Sequence, residues 1–237
     1  MAGSQAKKVA VYTGSRNLYP MMVPAVKSLL KHSSVDEVWL LIEDDEFPFE
    51  LPKCVKTRNV SGQEYFPPGS ANMKSYFTYF ALMRAALCHE FPEHDVILSL
   101  DVDTICVDDV DGIWDVPLGD NYFAATLEKW RATNGFEYCN IGVCLYNLKR
   151  LRETGKADEA IDVLNRHFFN WVEQDVFSFL CQGYIAQLPA MYNDCPWVIP
   201  HEESRIVHYA GVPKWTNRPE YLAAERLTWD GVLKGRE

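Results

Sequence analysis

The sequence predicts an α/β fold organised around a central, mostly parallel, doubly wound sheet, and three observations carry that prediction. Short apolar runs at residues 7–12, 35–43 and 96–100 alternate with stretches of helical spacing, the order that right-handed crossovers produce. The run V-I-L-S-L at 96–100 is apolar at all but Ser99, as a strand covered on both faces should be. It ends abruptly in Asp101-Val102-Asp103, and open α/β sheets bind their ligands at the carboxyl ends of strands.

Residues 7–12, K-K-V-A-V-Y, read as the first strand. They run into the small polar turn Thr13-Gly14-Ser15-Arg16-Asn17, and residues 20–31 then show helical spacing at Val23, Val26, Leu29 and Leu30. Residues 35–43 are the second strand. The first loop holds Gly14 but no G-x-G-x-x-G, which argues against NAD. Residues 47–68 are rich in proline and charge and read as surface, with a further strand at 54–60. Helical spacing over 72–89 places Lys74, Tyr76 and Arg84 on one helix. Arg84 interrupts an apolar turn there, either as a snorkelling or ion-paired core edge or as a reach toward a phosphate or sugar hydroxyl. An acidic loop at 107–116 follows, then strands at 122–126 and 138–147. Asn140 and Gly142 interrupt the second of these, and Asn140 either bonds neighbouring backbone or faces a ligand. Residues 148–168 read as one charged amphipathic helix and 171–180 as a shorter one opening on Glu173-Gln174-Asp175. Aromatic loop and strand complete the chain at 191–197 and 206–215. No repeat, low-complexity tract or linker interrupts it, so residues 1–237 are expected to form one domain.

Composition narrows the function. With 23 basic and 33 acidic residues the formal charge is −10, unsuited to a nucleic-acid duplex or an anionic membrane surface. Residues 1–8 are short and polar, and no apolar run reaches the roughly 18 residues of a membrane span, so a soluble cytoplasmic protein is expected. Seven cysteines, without a C-x-x-C pair and mostly among apolar neighbours, read as buried free thiols rather than a zinc site.

Two carboxylates at i and i+2 of a strand point to opposite faces, so Asp101 and Asp103 reach one ion only if the chain breaks into a turn at Val102. Hard oxygen ligands then suit manganese or magnesium. An acidic turn capping a strand is the plainer alternative. A third reading is a metal-dependent phosphatase with Asp101 as nucleophile, although Thr104 stands one place early for that motif and about a hundred residues precede it.

Four separated pieces resemble one family, the retaining glycosyltransferases of family 8, which share the GT-A fold and include glycogenin and lipopolysaccharide galactosyl- and glucosyltransferases. Arg84, Pro92, Asp95 and Asp101 fall at the spacing of its D-x-D strand. Y-C-N-I-G-V-C-L-Y-N-L resembles F-N-x-G-V-x-x-x-N-L, V-E-Q-D-V-F resembles D-Q-D-x-x-N, and I-V-H-Y-A-G-V-P-K-W resembles H-Y-x-G-x-x-K-P-W. The resemblance implies a single GT-A domain with a nucleotide-binding part at about 7–110 and an acceptor and sugar part at about 120–237. It implies Asp101, Asp103 and His208 as ligands of manganese, or magnesium. Tyr12, Thr13, Asn17, Tyr19, Gly211 and Lys214 would hold the nucleotide; Arg84, Asn140, Glu173 and Gln174 would hold the donor sugar.

The reaction so implied moves a hexose from a UDP-sugar to an acceptor hydroxyl, saccharide or other, with the anomeric configuration kept. Glu173 and Gln174 are the catalytic candidates. Because an amide is a poor nucleophile, approach of the acceptor on the face the diphosphate leaves is favoured over a glycosyl-enzyme on either residue. The chain departs from the family pattern at Glu173, where Asp is usual, at Ser178, where Asn is frequent, and at Pro213, which precedes Lys214 rather than following it. Two further alternatives are a nucleotidylyltransferase, whose G-G-x-G-T-R loop is missing, and a non-catalytic sugar-nucleotide binding protein. Donor choice is expected to rest on loops such as 129–135.

Overall fold

A computed structural model describes residues 7–131 and 135–234. Its nine strands are β1 (Val9–Thr13), β2 (Glu37–Ile42), β3 (Val55–Asn59), β4 (Val96–Leu100), β5 (Thr104–Cys106), β6 (Phe123–Leu127), β7 (Cys139–Asn147), β8 (Ile185–Gln187) and β9 (Ile206–His208). Seven of them form a sheet of order β3-β2-β1-β4-β7-β6-β8, while β5 and β9 pair separately. β1 runs parallel to β2 and β4, β2 to β3, and β6 to β8; β7 alone is inserted antiparallel, between β4 and β6.

Alternation along the strands buries both faces, as the doubly wound prediction requires. Val9, Val11, Ile97, Ile141 and Tyr146 pack on one side, with Phe177 and Leu164. Ala10, Tyr12, Leu98, Leu100, Val143 and Leu145 pack on the other, with Met22, Val26 and Leu29. α1 (Tyr19–His32) covers the second face, and α4 (Leu148–Thr154), α5 (Lys156–Arg166) and α6 (Val172–Leu180) the first. α7 (Pro219–Glu225) and α8 (Trp229–Leu233) lie along α1. The cysteines are free, and all but Cys54 are buried. No helix among the described residues is long and apolar enough to cross a membrane. Of the expected specificity loop at 129–135, residues 132–134 lie outside the described residues, as do residues 1–6 and 235–237.

Two expected helices differ from the sequence reading. The stretch 72–89 is helical only from α2 (Tyr79–Leu82), through a 3₁₀ turn at Met83–Ala86, to α3 (Leu87–Glu90). Asn72 explains the late start. Its buried amide donates to the carbonyls of Leu164 and His167 and accepts from the amide of Phe169, so this segment is tied across to the end of α5 and makes only isolated turns of its own. Arg84 consequently sits on the 3₁₀ turn, away from exposed Lys74 and Tyr76. The stretch 148–168 is cut into α4 and α5 by Gly155, which ends α4 in the left-handed region at φ +67°. Gly155→Ala is expected to lower stability by about 1 kcal/mol, since a β-carbon there meets open space and only the backbone conformation is penalised. A denaturant titration that shows no change would refute that assignment of the break.

Candidate active site

The strand does break where one ion would require it. β4 stops at Leu100, and Val102 and Asp103 form a turn that buries Val102 and leaves both carboxylates partly open. Asp101 anchors the turn: its amide donates to the carbonyl of Gly142 at 2.7 Å, and its own carbonyl accepts from the amide and hydroxyl of Thr104. β5 then pairs antiparallel with β9, setting Thr104 opposite His208. The imidazole Nε2 lies 3.4 Å from Asp101 Oδ2 and 3.4 Å from Asp103 Oδ1, and one ligand atom from each of the three residues falls within 4.8 Å of the others.

These residues fit a divalent cation. The donor set is two hard oxygens and an imidazole nitrogen. Room for an ion depends on Gly142 in β7: a β-carbon there would lie 2.1 Å from His208 Cε1, 2.7 Å from Asp101 Oδ2 and 2.8 Å from His208 Nε2. Burial pushes the pKa of His208 down, but Asp103 and then Cys195 outweigh it and raise it to about 9. Burial likewise pushes Asp103 up, and its pairing with His208 overcomes this and holds the carboxyl below its usual range.

Arg84, nearly buried, joins this triad to the neighbouring carboxylate. One guanidinium nitrogen pairs with Asp101 Oδ1 and another lies 2.8 Å from Glu173 Oε1. The second oxygen of Glu173 and Nε of Arg84 are buried without hydrogen-bond partners among the described residues. Burial raises Glu173 to about 7 even though Arg84 opposes it. Val172, just before it, adopts φ +35°, a strained conformation for a β-branched residue and one that turns the first residues of α6 toward the cavity.

A cavity of about 330 Å³ joins these groups. Asp101, Asp103, His208, Arg84, Asn140, Glu173, Gln174, Thr13 and Gly211 all line it, so the four resemblance motifs converge. Gly211 takes φ +71°, which keeps backbone close to the cavity. Four nucleotide candidates sit elsewhere. Tyr12 is fully buried under α1, its hydroxyl directed at the carbonyl of Ala25. Tyr19 is also buried, and its hydroxyl donates to Asp44 and accepts from the amide of Glu43. Asn17 is exposed and accepts from Ser15; Gly14 and Leu18 of the same loop line the cavity instead. Lys214 is exposed at φ +52°, while its neighbour Trp215 lines the wall.

Sequence reading passed over Glu128, Asn193 and an aromatic mouth formed by Phe77, Trp171 and Trp197. Glu128 had a signal: it directly follows the apolar strand β6, as Asp101 follows β4, and the two strands end at the same edge. Asn193, wholly buried in an aromatic loop, had none.

A sequence profile described as Glycosyl transferase family 8 matches residues 10–217. The chain belongs to this family. Among curated proteins it is similar to the glycosyltransferase GlyE of Streptococcus pneumoniae, 24% identical over 197 residues, a match covering 79% of this chain and 48% of that protein. It is also similar to a putative glycosyltransferase of Haemophilus influenzae, 23% identical over 112 residues, covering 42% and 34%. The chain thus spans less than half the length of either curated relative. Solved structures share the fold: galactosyltransferase LgtC, in complex with donor and acceptor sugar analogs, superposes with a TM-score of 0.70 at 16% identity over 97% of this chain and all of that one. GlyE gives 0.73 at 20% identity over 97% and 63%, and the bifunctional WbbM gives 0.72 at 15% over 99% and 52%. Membership of this family displaces the phosphatase reading of the Asp101 turn and, separately, the nucleotidylyltransferase alternative.

Proposed function

We propose that this family 8 glycosyltransferase is metal-dependent and retaining, and transfers a hexose from a UDP-sugar to an acceptor hydroxyl, with manganese or magnesium held by Asp101, Asp103 and His208. The observation that carries the reading is the convergence of those three side chains, drawn from segments a hundred residues apart, around space that Gly142 leaves free. A divalent ion bound there would neutralise charge on a departing diphosphate.

The chain's own groups divide the rest of the work. Thr13, Gly14 and Leu18 form the wall nearest the first loop and receive the nucleoside, and Gly211 lets its backbone approach the phosphates. Lys214, close by on the surface, serves them as a mobile point charge. Arg84, Asn140, Glu173 and Gln174 face the sugar, with the free oxygen of Glu173 accepting a sugar hydroxyl. Acceptors enter past Phe77, Trp171 and Trp197. Free thiols throughout accord with a reducing compartment such as the cytoplasm.

Retention by the same-face route suits the two candidate nucleophiles. The amide of Gln174 is occupied on both sides: its oxygen accepts from the amide of Ile141, and its nitrogen donates to Glu128 and Tyr138. Glu173 is held in its ion pair with Arg84. The amide of Gln174 is thus fully engaged, and the unpaired oxygen of Glu173 is assigned to a sugar hydroxyl rather than to the anomeric carbon. The acceptor oxygen forms its bond to that carbon as the carbon–phosphate oxygen bond breaks, and the departing oxygen takes the acceptor proton. UDP-, GDP- and CMP-sugars scored for hydrolysis with and without manganese test the proposal. A UDP-hexose is expected to turn over only with the ion; preference for another nucleotide, or equal turnover in a chelator, would overturn it. A glycosyl adduct on Glu173 in a mass spectrum would overturn the same-face route alone.

A further inference from the structure

Between the ion site and the sugar wall runs a chain of buried hydrogen bonds whose direction backbone groups dictate. The carbonyl of Asn140 can only accept, and Nδ2 of Asn193 lies 3.2 Å from it and 3.0 Å from Asn140 Oδ1. That places Oδ1 of Asn193 toward His208, 2.8 Å from Nδ1. Nδ1 must therefore carry a proton, and the lone pair of the neutral ring falls on Nε2, the nitrogen that faces Asp101 and Asp103. At the other end the amide of Gly142 donates to Asn140 Oδ1 at 3.1 Å, so Asn140 Nδ2 turns to Glu128 Oε1 at 3.2 Å. The same carboxylate oxygen accepts from Gln174 Nε2 at 3.0 Å, and the amide of Ile141 fixes the opposite side of that group. Glu128, Asn140, Asn193 and His208 are each at least 95% buried, so a bond lost from this chain leaves a buried polar group poorly satisfied.

We propose that Asn193 is a positioning residue that, polarised through Asn140 by Glu128, locks His208 in its ion-binding tautomer and ties that end of the cavity to the sugar-facing amides. The inference rests on the reading of Asp101, Asp103 and His208 as ion ligands. It assigns the two halves of one side chain to different tasks: the oxygen serves the ion, and the nitrogen serves the sugar wall.

Two substitutions separate those halves. Asn193→Leu keeps the size and removes both; Asn193→Asp keeps an acceptor for Nδ1 and loses the donor to Asn140. Manganese binding is read directly from the free-ion electron paramagnetic resonance signal in the presence of saturating UDP, with thermal unfolding as the check on folding. Asn193→Leu is expected to bind manganese about 10- to 100-fold more weakly, as loss of a ligand-orienting partner does elsewhere. Asn193→Asp is expected to stay within about threefold of the parent while its donor hydrolysis at saturating manganese falls about tenfold or more. A folded Asn193→Leu protein with unchanged manganese affinity overturns the proposal, as does an Asn193→Asp protein that loses affinity as badly as the leucine variant. Parent protein that binds no manganese with UDP would instead overturn the metal reading itself, and this inference with it.

Discussion

Gly142→Ala is expected to lower manganese-dependent donor hydrolysis by about 100-fold or more while leaving the protein folded, because an ångström of displacement in a reacting constellation costs that much. The added methyl has nowhere to go. It would stand inside contact distance of His208 Cε1, His208 Nε2 and Asp101 Oδ2 together, and none of these is the far end of a flexible chain: the ring is held by Asn193 and β9, the carboxylate by Arg84. Within a strand, alanine in place of glycine would otherwise stabilise by about 0.5–1 kcal/mol. Melting temperature and manganese dependence should therefore part company. A variant with the parent's manganese dependence would show that the three ligands do not work around this space.

Arg84→Met is expected to cost about 3 kcal/mol or more near pH 8 and distinctly less near pH 5. The guanidinium is the partner of two carboxylates in a nearly dry setting, and removing one member of a buried ion pair leaves an uncompensated charge. Asp101 keeps its pairing with His208, so the orphan is Glu173. That residue is already raised to about 7 with Arg84 in place, and loss of the cation raises it further. An unfolded glutamate titrates near 4.3, so between that point and its folded pKa the native state binds more protons than the unfolded chain, and stability falls as pH rises. At pH 5 the orphan is neutral and most of its cost is absent. Urea titrations of parent and variant across pH 5–8 measure the difference, and a gap that does not widen with pH would refute the role given to Glu173.

Legibility differed between fold and site for physical reasons. Continuous apolar runs exposed most of the strands, because both faces of the sheet are buried and each strand must be apolar throughout, and 3.6-residue spacing exposed α1 and α6. Strand direction was not legible: β7 has the composition of its parallel neighbours, and its reversed insertion follows from connections far outside it. The breaks at 72–78 and Gly155 were hidden for opposite reasons, one set by a buried asparagine reaching a distant helix end, the other by a single glycine in an otherwise helical run. At the site, the carboxylates at strand ends announced themselves, and Glu128 obeyed the same rule unnoticed. Tyr12 and Tyr19 misled because an aromatic beside a binding loop serves the core as readily as a ligand. Asn193 could not be found at all, since a neutral amide acts only through what it touches.

The pairing of β5 with β9 has a consequence for biosynthesis. Thr104 waits for a partner that is translated about a hundred residues later, so a nascent chain on the ribosome holds both aspartates long before the imidazole that completes their set. The two-stranded ladder is then a late step of folding, and any cation bound through it would favour the finished protein over every shorter intermediate.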